Sequence, residues 1–127
     1  MAIVVADIRE KFPEDSTAYS DTILQGLIDR AVELVNFATR GQLQNQLKYY
    51  RDSTDRTWYE YYTDIEQRAV MAQMEYWFYV GAETDLVAKY KSYMMGNSRI
   101  EYELTTISPR TYRVLRMGGL MNVGVSL

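Results

Sequence analysis

The apolar positions of this chain recur mostly at helical spacing. Val4, Ile8 and Phe12 repeat every four residues, with Asp7, Arg9, Glu10 and Lys11 elsewhere, which predicts a short amphipathic segment stopped by Pro13. Residues 13–19 carry turn chemistry, after which Ser20 is placed to cap a helix with Asp21 at the positive end of its dipole. Leu24, Leu27, Ile28, Ala31, Val35 and Ala38 then share one face, while Asp29, Arg30, Glu33 and Asn36 fall elsewhere on the wheel. Gly41 is the expected stop, giving a helix of about 18 residues, roughly 27 Å long.

Residues 42–62 admit two readings. Gln42 to Tyr50 can continue as another turn or two of helix, but Asp52, Ser53, Thr54 and Asp55 form a polar break between aromatic stretches, so a hairpin fits equally. Thr63, three residues before Glu66, has the spacing of a capping box and predicts the start of a second long helix. Its face would be Ile65, Ala69, Ala72, Tyr76 and Val80, widened by Met71, Met74 and Phe78, with Gly81 as the stop. A third helix is expected from Thr84 or Asp85 to Gly96 and Asn97. Residues 99–105 alternate Ile100, Tyr102 and Leu104 with Glu101, Glu103 and Thr105, the period of a short strand. Ser108 followed by Pro109 opens a last helix, because proline at the first helical position loses no needed hydrogen bond. Gly118 and Gly119 end it. The expected architecture is mainly α: a small bundle of about four helices with a short β element and an extended C-terminal arm. It is one domain, with residues 1–107 as the helical body and 108–127 as a helix and arm whose removal is expected to leave a folded helical monomer.

Composition then restricts the chemistry. The chain has 127 residues, 47% hydrophobic and 24% charged, with no His and no Cys alongside 12 Tyr and 7 Met. That excludes thiol and imidazole nucleophiles, zinc fingers of the usual ligand types, haem held by His, and disulfides. Carboxylate, Tyr, Ser and Lys chemistry remain, and no pair of carboxylates is marked out, so the chain reads as a protein that is not an enzyme and needs no cofactor. Asp52, Asp55, Glu60 and Asp64 lack the spacing and the glycine of a calcium loop and read as solvated. The longest apolar run, residues 76–82, is too short to cross a bilayer, and residues 2–6 are too short for a signal peptide. The expectation is a soluble, cytoplasmically made protein with no membrane contact.

Charge is unevenly distributed. All 17 acidic residues lie at or before Glu103 with 11 of the 14 basic ones, a net −6, whereas residues 104–127 carry only Arg110, Arg113 and Arg116, a net +3. The three arginines, three apart, form a slowly drifting stripe, with Val114, Leu115 and Met117 expected on the other side. Such a stripe either docks on an acidic protein surface or is a solvated face; a pI near 5.0 speaks against a DNA-binding role. Tyr76, Trp77 and Phe78 read as core. Trp58, Tyr59, Tyr61 and Tyr62, four aromatics in five positions, cannot all face inward and suit a protein interface.

The order of these elements resembles the head-tail connector proteins of tailed bacteriophages, also called adaptor or head-completion proteins. The resemblance rests on the leading segment ending in Phe12-Pro13, the Ser-Asp-x-x-Leu-x-x-Leu-Ile-x-x-Ala pattern over residues 20–31, and the Ala- and aromatic-rich helix at residues 64–80. It also rests on the Gly96-Asn97-Ser98 turn and the closing Ile107-Ser108-Pro109, Leu115 and Gly119-Leu120. It covers nearly the whole chain; only the Tyr-rich residues 42–62 exceed the connections typical of the family. The resemblance implies a virion protein of the neck, assembled in the host cytoplasm as a homo-oligomeric ring, usually of twelve copies, beneath the portal protein. The ring extends the channel, lets packaged DNA pass without specific binding, and is the platform for tail or neck proteins. It also implies that the C-terminal segment reaches the portal, here through Ser108, Pro109, Arg110, Arg113, Arg116, Leu120 and Met121. A small helical DNA-binding regulator is the alternative from another class.

Overall fold

The computed structural model describes residues 3–83 and 107–121. Among them the chain forms five helices: α1 (Val5–Lys11), α2 (Asp21–Ala38), α3 (Gln42–Tyr50), α4 (Thr57–Glu83) and α5 (Pro109–Met117), with a 3-10 turn at Asp15–Ala18. The mainly α architecture is as expected, with no strand among the described residues. The predicted third helix and the strand at residues 99–105 lie outside the described residues.

Local signals account for most boundaries. Ser20 caps α2, its Oγ accepting from the Ile23 N–H at 3.3 Å. Arg9 ties α1 to that start, donating to Asp21 Oδ1 (2.6 Å), the Ser16 carbonyl (3.0 Å) and the Tyr19 carbonyl (2.9 Å). At its other end α2 stops at Ala38, three residues before Gly41. The Gly41 N–H bonds the Asn36 carbonyl (2.9 Å) and the Arg40 N–H bonds that of Phe37 (3.1 Å), the reciprocal pair of a Schellman motif. Arg40 takes the left-handed position (φ 55°), and Gly41 (φ 79°) is already the first cap of α3.

Residues 42–62 form no hairpin. α3 runs to Tyr50, a short turn follows, and α4 begins at Thr57, so the expected capping box at Thr63 does not exist. Capping matters only where amides lack an i−4 carbonyl, and Thr63 lies inside the helix, its buried hydroxyl without a hydrogen-bond partner. Asp55 holds the first turn instead, accepting from the Thr57 N–H (2.9 Å) and hydroxyl (2.6 Å), bonds that keep its carboxyl below the usual range. Glu66 is used across the bundle, accepting from Gln44 of α3 at 2.9 Å. Gly81 does not stop α4 either; the helix continues to Glu83, 27 residues and about 40 Å.

α4 is the spine. α2, α3 and α5 each pack against it, and α1 packs on α2. The core runs through Ile8, Leu24, Leu27, Ala31, Leu43, Met74, Trp77 and Leu115, all fully buried. Phe12 and Tyr19 close one end by ring contacts to Phe78 at 5.2 and 5.5 Å.

α5 is docked on α4, which argues against the expectation that the C-terminal segment can be removed without loss of folding. A buried polar lock joins it to α4. The Ser108 N–H donates to Gln73 Oε1 (2.9 Å), the Thr111 N–H to Ser108 Oγ (3.0 Å), and the Thr111 hydroxyl to the Ala69 carbonyl (3.3 Å). The two hydroxyl oxygens lie 2.6 Å apart. With the Thr111 proton committed to Ala69, Ser108 is the donor between them, so both hydroxyl protons have an acceptor. At the other end, α5 closes in a second Schellman motif. The Gly119 N–H (φ 77°) bonds the Arg116 carbonyl and the Leu120 N–H that of Leu115, both at 3.0 Å. Gly118 lies against Ile65 so closely that an added Cβ would stand 2.7 Å from Ile65 Cδ1.

Candidate interaction site

The turn between α3 and α4 brings together five of the chain's aromatic side chains. Tyr50 stacks on Trp58 (6.3 Å between centroids) and on Tyr62 (6.1 Å), and Trp58 stacks on Tyr62 (6.3 Å). Tyr61 meets Trp58 and Tyr62 edge-on at 5.7 and 5.1 Å, and Tyr49 meets Tyr50 at 4.8 Å. The spacing explains the cluster: Trp58, Tyr61 and Tyr62 stand three and four apart on α4, and Tyr50 crosses to them from the end of α3. Tyr59 turns the other way, toward the groove between α2 and α3, with the Arg56 guanidinium 4.2 Å above its ring.

The cluster is partly in water. Trp58 is 50% exposed and Tyr49 78%, and Tyr61 is also exposed, whereas Tyr50 and Tyr62 are half-buried beneath them. Burial, with the neighbouring Tyr50 and Tyr61 phenols, holds the Tyr62 hydroxyl above the ordinary phenol range, so it stays a neutral donor at physiological pH. The rings therefore hold one another in a fixed arrangement while presenting apolar faces and hydroxyl edges outward. Such a surface loses little conformational entropy on binding. The four aromatics singled out in the sequence divide accordingly: Trp58, Tyr61 and Tyr62 belong to this patch and Tyr59 to the groove behind it. Tyr49 and Tyr50 complete the patch; their sequence position, just before a polar break, hid that the turn folds them back onto α4.

The C-terminal set separates into two groups. Ser108 and Leu120 are buried, the one in the lock and the other in the core, and Met121 packs half-buried against the core. These hold α5 in place. Pro109, Arg110, Arg113 and Arg116 are exposed. Arg110 donates to Glu75 Oε1 of α4 at 2.7 Å; Arg113 and Arg116 have no ion pair among the described residues. Met117, expected opposite the arginines, shares their outer face and is 78% exposed, because the inward face of so short a helix is filled by Thr111 and Leu115.

Asp52, Asp55, Glu60 and Asp64 do not converge: among the described residues no group of three or more His, Cys, Asp or Glu side chains could hold a metal ion. No helix among them is long and apolar enough to cross a membrane. The chain matches no known protein family, no curated protein and no solved structure.

Proposed function

We propose that this chain is a structural subunit of the head-tail connector type, a ring-forming adaptor of a phage neck that joins portal to tail or neck proteins. The observation that carries the reading is the preorganised aromatic patch of Tyr49, Trp58 and Tyr61, held by Tyr50 and Tyr62 at one end of the spine. Large, rigid, half-wet aromatics at the end of a small helical body are contact material for another protein. The exposed Arg113 and Arg116 on α5 supply a second, chemically different contact, suited to an acidic protein surface. A single copy offers little area for either contact, and a ring multiplies both by its copy number. With its net negative charge, the body would repel DNA passing through the channel rather than retain it.

Immunogold labelling of tailed particles that carry this chain tests the proposal. Label confined to the vertex between head and tail is the expected result. Particles without label, or label over the capsid faces or the tail tip, would overturn it.

A further inference from the structure

The connector reading leaves open what acidic surface the arginines of α5 meet, and the fold contains one. The outward face of α2 exposes Asp29, Glu33 and Phe37, each four residues after the last. Asp29 accepts from Gln25 at 2.9 Å and Glu33 pairs with Arg30, whose side chain is largely buried, so both carboxylates are held in place at the surface. Phe37, one turn beyond Glu33, is 85% exposed, the highest exposure of any large hydrophobic side chain among the described residues. α5 also sets exposed charge beside an exposed apolar side chain, with the opposite sign and a closer spacing. Arg113 and Arg116 are exposed, the helix has no acidic residue, and Met117 stands one turn beyond Arg113. Glu33 precedes Phe37, and Arg113 precedes Met117, by four residues, about 6 Å along the axis.

α2 and α5 both pack on α4 with little contact between themselves. Phe37 and Met117 are both exposed, so neither helix covers the other's apolar side chain, and a second copy can. We infer that α2 of one copy docks on α5 of the next, with Glu33 against Arg113 and Phe37 against Met117, and with Asp29 and Arg116 adding charge of opposite sign on either side. The contact joins two different surfaces, so it is heterologous and propagates head to tail, closing into a ring where the rotation per copy permits. Charge complementarity sets the register and the apolar pair excludes water beside it. This inference rests on the connector reading and names the partner of its basic face. The aromatic patch is thereby left for the portal or the neck.

Charge reversal on the purified chain tests it. Asp29→Lys with Glu33→Lys makes both faces basic; Arg113→Glu with Arg116→Glu makes both acidic. In sedimentation velocity at low salt, the wild-type chain is expected to associate beyond a monomer, and each reversed chain to associate at least a hundredfold more weakly, on the order that like-charge juxtaposition produces. An equimolar mixture of the two reversed chains is expected to assemble again, because each basic α2 meets an acidic α5 and the reverse. That rescue also shows that both variants are folded. Phe37→Asp, which leaves the other charges in place, is expected to block assembly alone and in the mixture. Reversed chains that assemble like wild type, a mixture that stays monomeric, or a wild-type chain monomeric at every concentration would overturn the α2 to α5 contact. None of these outcomes bears on particle labelling, which judges the connector reading separately.

Discussion

Ser20 and Ser108 do the same job at the starts of α2 and α5, and the difference in their surroundings predicts a difference in what each contributes. Each accepts a hydrogen bond from the amide three residues on, at 3.3 and 3.0 Å. Ser20 is exposed, so in Ser20→Ala water replaces the lost acceptor and the cost is that of an ordinary cap, about 0.5–1 kcal/mol. Ser108 is buried, and Ser108→Ala strands the Thr111 amide where no water reaches. An unsatisfied buried donor costs about 1–3 kcal/mol, which places Ser108→Ala at about 2–3 kcal/mol. For a domain of this length about 1 kcal/mol moves the midpoint by roughly 4 °C, so the expected losses are about 2–4 °C for Ser20→Ala and about 8–12 °C for Ser108→Ala. Urea and thermal unfolding followed by far-ultraviolet circular dichroism measure both. Equal losses, or a larger one for Ser20→Ala, would refute the claim that burial rather than capping geometry governs the lock.

Gly118→Ala is expected to cost about 1–3 kcal/mol by overpacking against Ile65 Cδ1, and Ile65→Val, which deletes that atom, about 0.5–1.5 kcal/mol. The double variant should lose less than the sum of the two in denaturant titration, whereas strict additivity would place the strain elsewhere. Burial raises the Glu66 carboxyl above its ordinary value despite the bond from Gln44, so the folded state holds that proton more tightly than the unfolded chain. Its stabilising share is complete below the unfolded value and is lost as pH rises through the folded one. Glu66→Gln should therefore be more stable than wild type at pH 7, with the gain vanishing near pH 4; a gain independent of pH would contradict this. Trp58→Ser should lower stability by only about 0.5–1.5 kcal/mol, the worth of its ring contacts, while abolishing vertex labelling of assembled particles. Deleting residues 108–121 should unfold the chain, as read by loss of a cooperative thermal transition.

Elements whose signals are local could be read in the sequence. Ser20 and Asp21, the apolar stripe from Leu24 to Val35, and Ser108-Pro109 specify their helices within a few residues, and the fold uses them as written. Thr63 and Glu66 carry an equally good local pattern that fails, because Asp55 starts α4 earlier and the rings of Trp58 and Tyr62 sustain the added turns by stacking on Tyr50. That support comes from α3, across a turn no periodicity describes. Met117 was legible in principle, since it falls four residues after Arg113, which faces outward. An apolar side chain on a polar face is nonetheless easily assigned inward when a helix is taken by itself.

The buried lock between α4 and α5 also bears on synthesis. Its bonds join residues 35 and 42 positions apart, Gln73 to Ser108 and Ala69 to Thr111. As the chain emerges from the ribosome, α4 is complete long before α5 arrives, and Ile65 and Ala69 lack the cover of Gly118 and Thr111 until those residues have cleared the exit tunnel. A chain terminated early exposes that part of α4 and becomes a substrate for chaperones and proteases, so quality control discriminates finished chains from truncated ones.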